Sequence, residues 1–312
     1  MDYRQLGRTG VRVSTLCLGC WRFGEATNEQ DAARIVHEAI DAGINFIDTA
    51  NMYQLGESER ILGRILTPAM RRSIVLASKV HFPMSESVND RGNSRRHIMQ
   101  QVEDSLRRLN TDHLDLYYLH RPDPETPPEE ELRALDDLVR QGKILYAGSS
   151  HYAAWQMCRS MWVADTRNLS SFVVEQAGFS LMRNAAESEV LPCADALGIG
   201  IVAHSPLAQG VLTGKYHSGD VPPDARGAVR DPEVARKAEV ATPAVTRLLD
   251  VAARVGKSPS QVAIRWVLQK PAVCTAVIGP RTPEQLRDNI QAVGWELPAS
   301  DMSALNEVAV QI

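Results

Sequence analysis

The 312-residue sequence predicts an α/β protein built as a (β/α)8 barrel. Three observations carry that expectation. Short apolar runs alternate with amphipathic stretches along the whole chain, there are eight of each, and the turn after the first run lacks a nucleotide-binding glycine fingerprint. Strand-like runs fall near 15–19, 44–48, 74–79, 114–119, 144–148, 171–175, 199–203 and 275–278. Their Val, Ile, Leu, Phe and Tyr content suits parallel strands covered on both faces. Helix-like segments occupy about 29–41, 57–66, 95–108, 128–140, 152–164, 187–196, 258–268 and 283–291. In 95–108, Ile98, Val102, Ser105, Leu106 and Leu109 share one side while Arg107 and Arg108 turn away, the period of a half-buried helix. Gly43, Gly142, Gly198 and Gly256 each stand just past a helix, where a left-handed residue closes the last turn. Such alternation allows an open doubly wound sheet or a closed barrel, and the count of eight favours the barrel. Leu18-Gly-Cys-Trp-Arg-Phe-Gly24 is not G-x-G-x-x-G, and Gly210-Val-Leu-Thr-Gly-Lys-Tyr216 has the wrong spacing for a Walker A loop.

Three additions decorate the eightfold unit. Polar segments at 3–6 and 11–13 read as a hairpin plugging one barrel end. The Gly-, Pro- and charge-rich stretch 214–240 reads as a loop or lid, and a further helix is expected near 242–254. No repeat or linker interrupts the chain, so 1–312 is expected to be a single domain.

Composition narrows the function classes. Apolar residues make up 44%, charged residues 23%, and the net charge is −4. This is an ordinary soluble balance without the basic stripe of a nucleic-acid binder. No apolar run is long enough to span a membrane, and the N-terminus has no signal-peptide core, so the expected location is cytoplasmic. Five scattered cysteines fit reduced thiols. Cys17 and Cys20 form a C-x-x-C without a second ligand pair, which predicts packing and no bound metal.

The strand ends hold the informative residues, because barrel chemistry sits where strands give way to βα loops. Every strand after the first ends in a polar group: Asp48, Lys79, His120, Ser150 with His151, Gln176, His204 and Arg281. Singly, each has an ordinary structural explanation. Asp48, Tyr53, Lys79 and His120, on successive strand ends, together form a set suited to carbonyl reduction. A tyrosine can deliver a proton, a neighbouring lysine favours its phenolate and lowers its pKa, an aspartate holds the lysine, and a histidine orients the carbonyl. Trp21, Met52, His81 and Arg121 lie on the loops at the same end and are candidates for the substrate wall.

With these residues in view, the chain resembles the aldo-keto reductases over nearly its whole length. The landmarks are Tyr3-Arg-Gln-Leu-Gly-Arg-Thr-Gly10, Gly43-Ile-Asn-Phe-Ile-Asp-Thr-Ala50 with Tyr53, and Asp115-Leu-Tyr-Tyr-Leu-His120. Further on come Gly148-Ser-Ser150, His204-Ser-Pro-Leu207, Leu212-Thr-Gly-Lys-Tyr216 and Arg281-Thr-Pro-Glu-Gln-Leu286. The likeness is closest to the bacterial oxidoreductase and potassium-channel β-subunit branches, whose members form oligomers, so a homo-oligomer is one expectation.

The resemblance implies an NADP(H)-dependent oxidoreductase that reduces an aldehyde or ketone, with Asp48, Tyr53, Lys79 and His120 catalytic and Tyr53 the general acid. It implies that Ser150, His151 and Gln176 hold the nicotinamide carboxamide and that His204 stacks on the ring. Gly19, Cys20, Trp21 and Asp48 would line the same site. Ser205, Pro206, Leu207, Gln209, Gly210 and Lys215 would follow the pyrophosphate, and Gly279, Arg281, Gln285, Asp288 and Asn289 the adenosine and its 2′-phosphate. The family usually carries Asn at the position of His151 and Tyr or Trp at that of His204. Two other readings stand beside this one. A regulatory NADP(H)-binding subunit would carry Asn in place of His120, and an aldolase would use Lys79 as a Schiff-base lysine without a nucleotide.

Overall fold

A computed structural model describes residues 1–217 and 232–309. The chain opens with β1 (Tyr3–Gln5) and β2 (Arg12–Ser14), then β3 (Leu16–Gly19), α1 (Glu29–Asp41), β4 (Phe46–Asp48), α2 (Glu57–Ile65), α3 (Pro68–Ser73), β5 (Val75–Val80) and α4 (Arg95–Leu109). It continues with β6 (Leu114–Leu119), α5 (Pro128–Arg140), β7 (Ile144–Ser150), α6 (Ala154–Arg167), β8 (Phe172–Gly178), α7 (Val190–Leu197) and β9 (Gly200–His204). The remaining elements are α8 (Pro232–Val240), α9 (Thr242–Val255), α10 (Pro259–Leu268), β10 (Val273–Ile278), α11 (Pro283–Ile290) and α12 (Ala299–Glu307).

Strands β3 to β10 close in sequence order into one parallel barrel, with β10 pairing back onto β3. Two apolar clusters sit on either side of this wall. Cys17, Phe46, Ala77, Leu116, Tyr118, Val174 and Val202 fill the interior with Leu6 and Val13 of the hairpin. Alternate strand residues, such as Leu18, Ile47, Leu76 and Tyr117, pack outward with the helices. Two-sided burial is why the strands read as continuous apolar runs. The hairpin closes the end where strands begin. Arg4 donates to the carbonyls of Val273 and Leu268, and Gly7, at φ +55°, lies so near the Val173 carbonyl that a Cβ would come within 2.1 Å. The opposite end carries no such plug among the described residues.

Helix ends follow local rules. Asn28, Ser94, Ser258 and Thr282 each accept a hydrogen bond from a first-turn N–H, which satisfies donors the helix cannot. Gly43, Gly142, Gly198 and Gly256 all have positive φ just past their helices. Some boundaries move. The helix expected at 187–196 starts at Val190, the one expected at 152–164 runs from Ala154 to Arg167, and the strand expected at 171–175 continues to Gly178. The stretch 214–240 is not all loop. Its end forms α8, because Pro232-Glu-Val-Ala-Arg-Lys-Ala-Glu-Val240 offers proline at the first turn followed by good helix formers. Residues 218–231 of that expected lid lie outside the described residues. Helices α3 and α12 carry no strong period and went unread.

Helix α2 approaches α4 closely at Gly63, where a Cβ would stand 2.2 Å from the carbonyl oxygen of Arg108. Backbone cannot yield as a side chain can. Gly63→Ala is expected to cost ~2 kcal/mol through overpacking. Gly10→Ala, where a Cβ meets nothing within 4 Å, should stay within about 0.5 kcal/mol of the parent protein. Urea unfolding midpoints of both variants check this.

Candidate functional site

At the open barrel end, β4 and β5 bring Asp48 and Lys79 together inside the protein. Both are buried, and Lys79 Nζ donates to Asp48 Oδ2 at 2.5 Å. The same ammonium donates to the Thr49 carbonyl at 2.8 Å and to the Tyr53 hydroxyl at 3.2 Å. Its three N–H groups thus meet three oxygens. The other Asp48 oxygen accepts from Gln176 Nε2 at 2.9 Å. Opposing effects act on Lys79: burial penalises its charge, while Asp48 and Tyr53 hold it well above the ordinary lysine range.

Tyr53 starts the turn after β4 and is half-buried. Its phenol corrects one expectation. Lys79 does pull its pKa down, but removal from water is the larger effect, and the net shift is upward. Tyr53 therefore keeps its proton at neutral pH. His120, at the end of β6, meets the Tyr53 ring edge-on at 5.8 Å and the Phe82 ring at 5.0 Å. Burial and then Lys79 hold its pKa far below the ordinary histidine value, so the imidazole is neutral. Its Nδ1 is buried without a partner among the described residues. Asp48, Tyr53, Lys79 and His120 thus lie together at the ends of β4, β5 and β6 and in the turn after β4.

The neighbouring strand ends complete the mouth. Ser150 Oγ donates to the Gln176 carbonyl at 2.9 Å, and the His151 N–H donates to the same oxygen at 3.2 Å. His151 has φ +62° and its ring lies 4.8 Å from that of His204. Burial is the main cause that keeps both imidazoles neutral: His151 falls to about 3 and His204 lies well below its ordinary value. His204 Nδ1 lies 3.0 Å from Ser205 Oγ, while its Nε2 is buried without a partner among the described residues.

The loop after β9 is bent hard. Ser205, Ala208 and Gln209 have positive φ without being glycine, and Gly210 has φ +98°. Each non-glycine residue held there costs on the order of 1 kcal/mol, a cost that tends to gather at ligand loops. A Cβ at Gly210 would stand 3.1 Å from Lys215 Nζ, so the ammonium lies against that turn. Pro206 is buried and Leu207 packs on the core. Beyond β10, the space over Gly279 is open, since a Cβ there would meet only the Gly19 carbonyl at 3.9 Å. The Arg281 N–H donates to Gln285 Oε1, and Thr282 caps α11 directly behind it.

Not every predicted residue points at the mouth. The Cys20 thiol is part of the core, leaving only backbone there for a ligand. Asp288 accepts from Ser258 Oγ and Gln261 Nε2, so both its oxygens already serve the start of α10. Asn289 is buried. Trp21 is exposed on the rim under the Arg22 guanidinium, and Met52 is half-buried. His81 Nδ1 is tied to Asn93 Oδ1 at 2.9 Å beside Phe82, while Arg121 is exposed next to His120. Phe82 and Arg183 were not among the residues expected at the mouth. Arg183 lies in an irregular loop with no periodic signal to mark it.

The chain matches the family model described as "Aldo/keto reductase family" over residues 15–310. It is 41% identical to the uncharacterized oxidoreductase YrpG of Bacillus subtilis (strain 168), over 99% of this chain and 96% of that one. It is 37% identical to a probable voltage-gated potassium channel subunit beta of Oryza sativa subsp. japonica, over 94% and 91% of the two chains. The corresponding protein of Arabidopsis thaliana is 36% identical over 94% and 91%.

Under this mouth, Glu175 is fully buried. Its carboxylate accepts from Ser149 Oγ at 2.6 Å and from the Tyr152 N–H at 3.1 Å, yet burial outweighs both and lifts its pKa to about 8. A raised carboxyl pKa stabilises the fold below the unfolded value near 4.5, and that stability fades as pH rises towards 8. The Glu175 contribution to thermal stability should therefore decline from pH 5 to pH 8, opposed below about pH 6.5 by the three depressed imidazoles. Glu175→Gln should remove that decline, so that its melting temperature gains on that of the parent protein as pH rises. Melting curves across this range test it.

Proposed function

The chain belongs to the aldo/keto reductase family, and on that premise we propose that it is an NADP(H)-dependent oxidoreductase that reduces an aldehyde or ketone to an alcohol. The observation that supports this reading best is the Tyr53–Lys79–Asp48 chain beside a neutral His120. The bound nicotinamide supplies the hydride. Tyr53 presents a protonated hydroxyl to the carbonyl oxygen, and His120 donates a second hydrogen bond that orients it. As negative charge develops on that oxygen, Tyr53 passes its proton across. The Lys79 ammonium, 3.2 Å away, then stabilises the phenolate left behind. Asp48 keeps the ammonium in place throughout.

The residues present fit the nucleotide. His204 has an unsatisfied buried Nε2, the turn at Gln209–Gly210 is held in left-handed backbone with Lys215 against it, and the end of β10 is open at Gly279. In this reading Ser150, His151 and Gln176 hold the carboxamide, where Gln176 spends its amide N–H on Asp48 and keeps its oxygen as acceptor. Arg281, at the start of α11, takes the 2′-phosphate, since a helix N-terminus and a guanidinium both favour an anion. The polar ring belongs to one barrel unit spanning the chain. The relatives named as channel β subunits keep a regulatory NADP(H)-binding role as the second reading, against which the histidine at position 120 weighs.

Titration with NADPH and NADH by tryptophan fluorescence, followed by turnover of 4-nitrobenzaldehyde, tests the proposal. Binding with turnover supports it, binding without turnover favours the regulatory reading, and no binding overturns both. Tyr53→Phe should lower kcat by at least about a hundredfold, the usual scale of general acid catalysis, and leave NADPH binding unchanged. Arg281→Ala should weaken NADPH by about tenfold or more, as for a lost charge-assisted contact, and leave NADH little changed. Fluorescence titration of both nucleotides reads that difference.

A further inference from the structure

We propose that Arg121 and Arg183 form an anion-binding subsite on the substrate side of the barrel mouth, so that the carbonyl compound reduced here carries a carboxylate. This rests on the reductase reading above. Arg121 follows His120 directly at the end of β6, and Arg183 lies in the loop after β8. The guanidinium of Arg183 lies against Gly178 at the C-terminal end of its strand. A Cβ built on Gly178 would come within 2.6 Å of Nη1 and 2.7 Å of Cζ. Gly178 is paired with His204, so this cation stands at the rim beside the ring of neutral imidazoles. Arg121 is affected first by its partial burial and then by the charge of Arg183, which brings the two guanidinia into electrostatic reach of each other. The same two charges act on His151 and His204.

Among the described residues neither guanidinium has an ion-pair or hydrogen-bond partner, although other arginines at strand and helix ends do, Arg108 with Glu59 and Arg71 with Asp115 among them. Lys79 is neutralised by Asp48. Both side chains are exposed at the rim, and two like charges within electrostatic range of each other and without an acid are stabilised by an anion. That anion is not the nucleotide. The residues proposed for its phosphates follow β9 and β10; β6, which leads to Arg121, stands across the barrel from β10, and Arg183 stands beside His204, at the nicotinamide end of the proposed site. Planar, forked guanidinia match a carboxylate in bidentate fashion. The substrate then spans two points, its carbonyl oxygen at Tyr53 and His120 and its carboxylate at Arg121 and Arg183.

The test compares 4-carboxybenzaldehyde with its neutral ester, methyl 4-formylbenzoate, in steady-state reduction by the intact protein with NADPH. The acid should have a kcat/KM at least about tenfold higher, carried by KM, the scale of one charge-assisted interaction. Arg183→Met should bring the acid-to-ester ratio close to one, and Arg183→Lys should restore part of it. Calorimetric titration with benzoate, and separately with inorganic phosphate, provides a readout that needs no turnover. Benzoate binding lost in Arg183→Met supports the subsite even if neither aldehyde is reduced, in which case the reductase reading alone fails. Turnover of both aldehydes without preference for the acid overturns the subsite and leaves the reductase reading standing. No benzoate binding, or phosphate bound more tightly than benzoate, overturns the carboxylate assignment.

Discussion

The buried ion pair between Asp48 and Lys79 is the constraint around which the open end of the barrel is organised. An ammonium cannot be taken out of water cheaply, and removing the partner of a buried charge costs ~3–5 kcal/mol. Here the charge is met on every side: by Asp48, by the Thr49 carbonyl and by the Tyr53 hydroxyl. Asp48 in turn anchors Gln176 four barrel strands away. Satisfying one buried cation therefore fixes the relative positions of β4, β5, β8 and the turn that carries Tyr53. A well-packed apolar pair would hold the barrel as firmly. It would not supply a fixed positive charge 3.2 Å from a phenol.

Around that pair, burial sorts the titratable groups. Tyr53 is pushed towards its neutral form, as are His120, His151 and His204, while Lys79 stays charged because its partners outweigh the same penalty. The mouth therefore combines neutral hydrogen-bonding groups with a small number of fixed cations. Neutral donors can exchange hydrogen bonds with a carbonyl oxygen at little cost in desolvation. The cations act at a distance, through a medium less polar than water. Glu175 beneath them fits the same rule, with its carboxyl lifted to about 8 by burial and without an ion-pair partner among the described residues.

The barrel itself separates stability from chemistry. The hairpin end is sealed by backbone contact at Gly7 and by Arg4. At the other end the loop after β9 holds three non-glycine residues in left-handed backbone, a local cost that the packed walls can carry. A rigid frame with strained loops at one end suits the proposed placing of a nucleotide across several strand ends.

Much of this was legible from the residues alone. Strands covered on both faces produce continuous apolar runs, so all eight were readable, and glycines such as Gly43 and Gly256 marked where helices end. Asp48, Tyr53, Lys79 and His120 stood out because successive strand ends repeat a simple rule of place. Arg183 gave no such signal, since loop residues obey no period. Helix α8 was hidden by a charged composition that suits loops and helices alike. The sign of the Tyr53 shift was also out of reach. A sequence can say that a lysine is near a tyrosine, but only the packed structure fixes how much water each has lost, and here desolvation outweighs the charge. Periodicity and strand-end chemistry are local, so the sequence determined the barrel and the candidate catalytic set. Burial, charge balance and the placing of Arg183 beside the strand ends depend on distances between remote segments, and only the tertiary structure decided them.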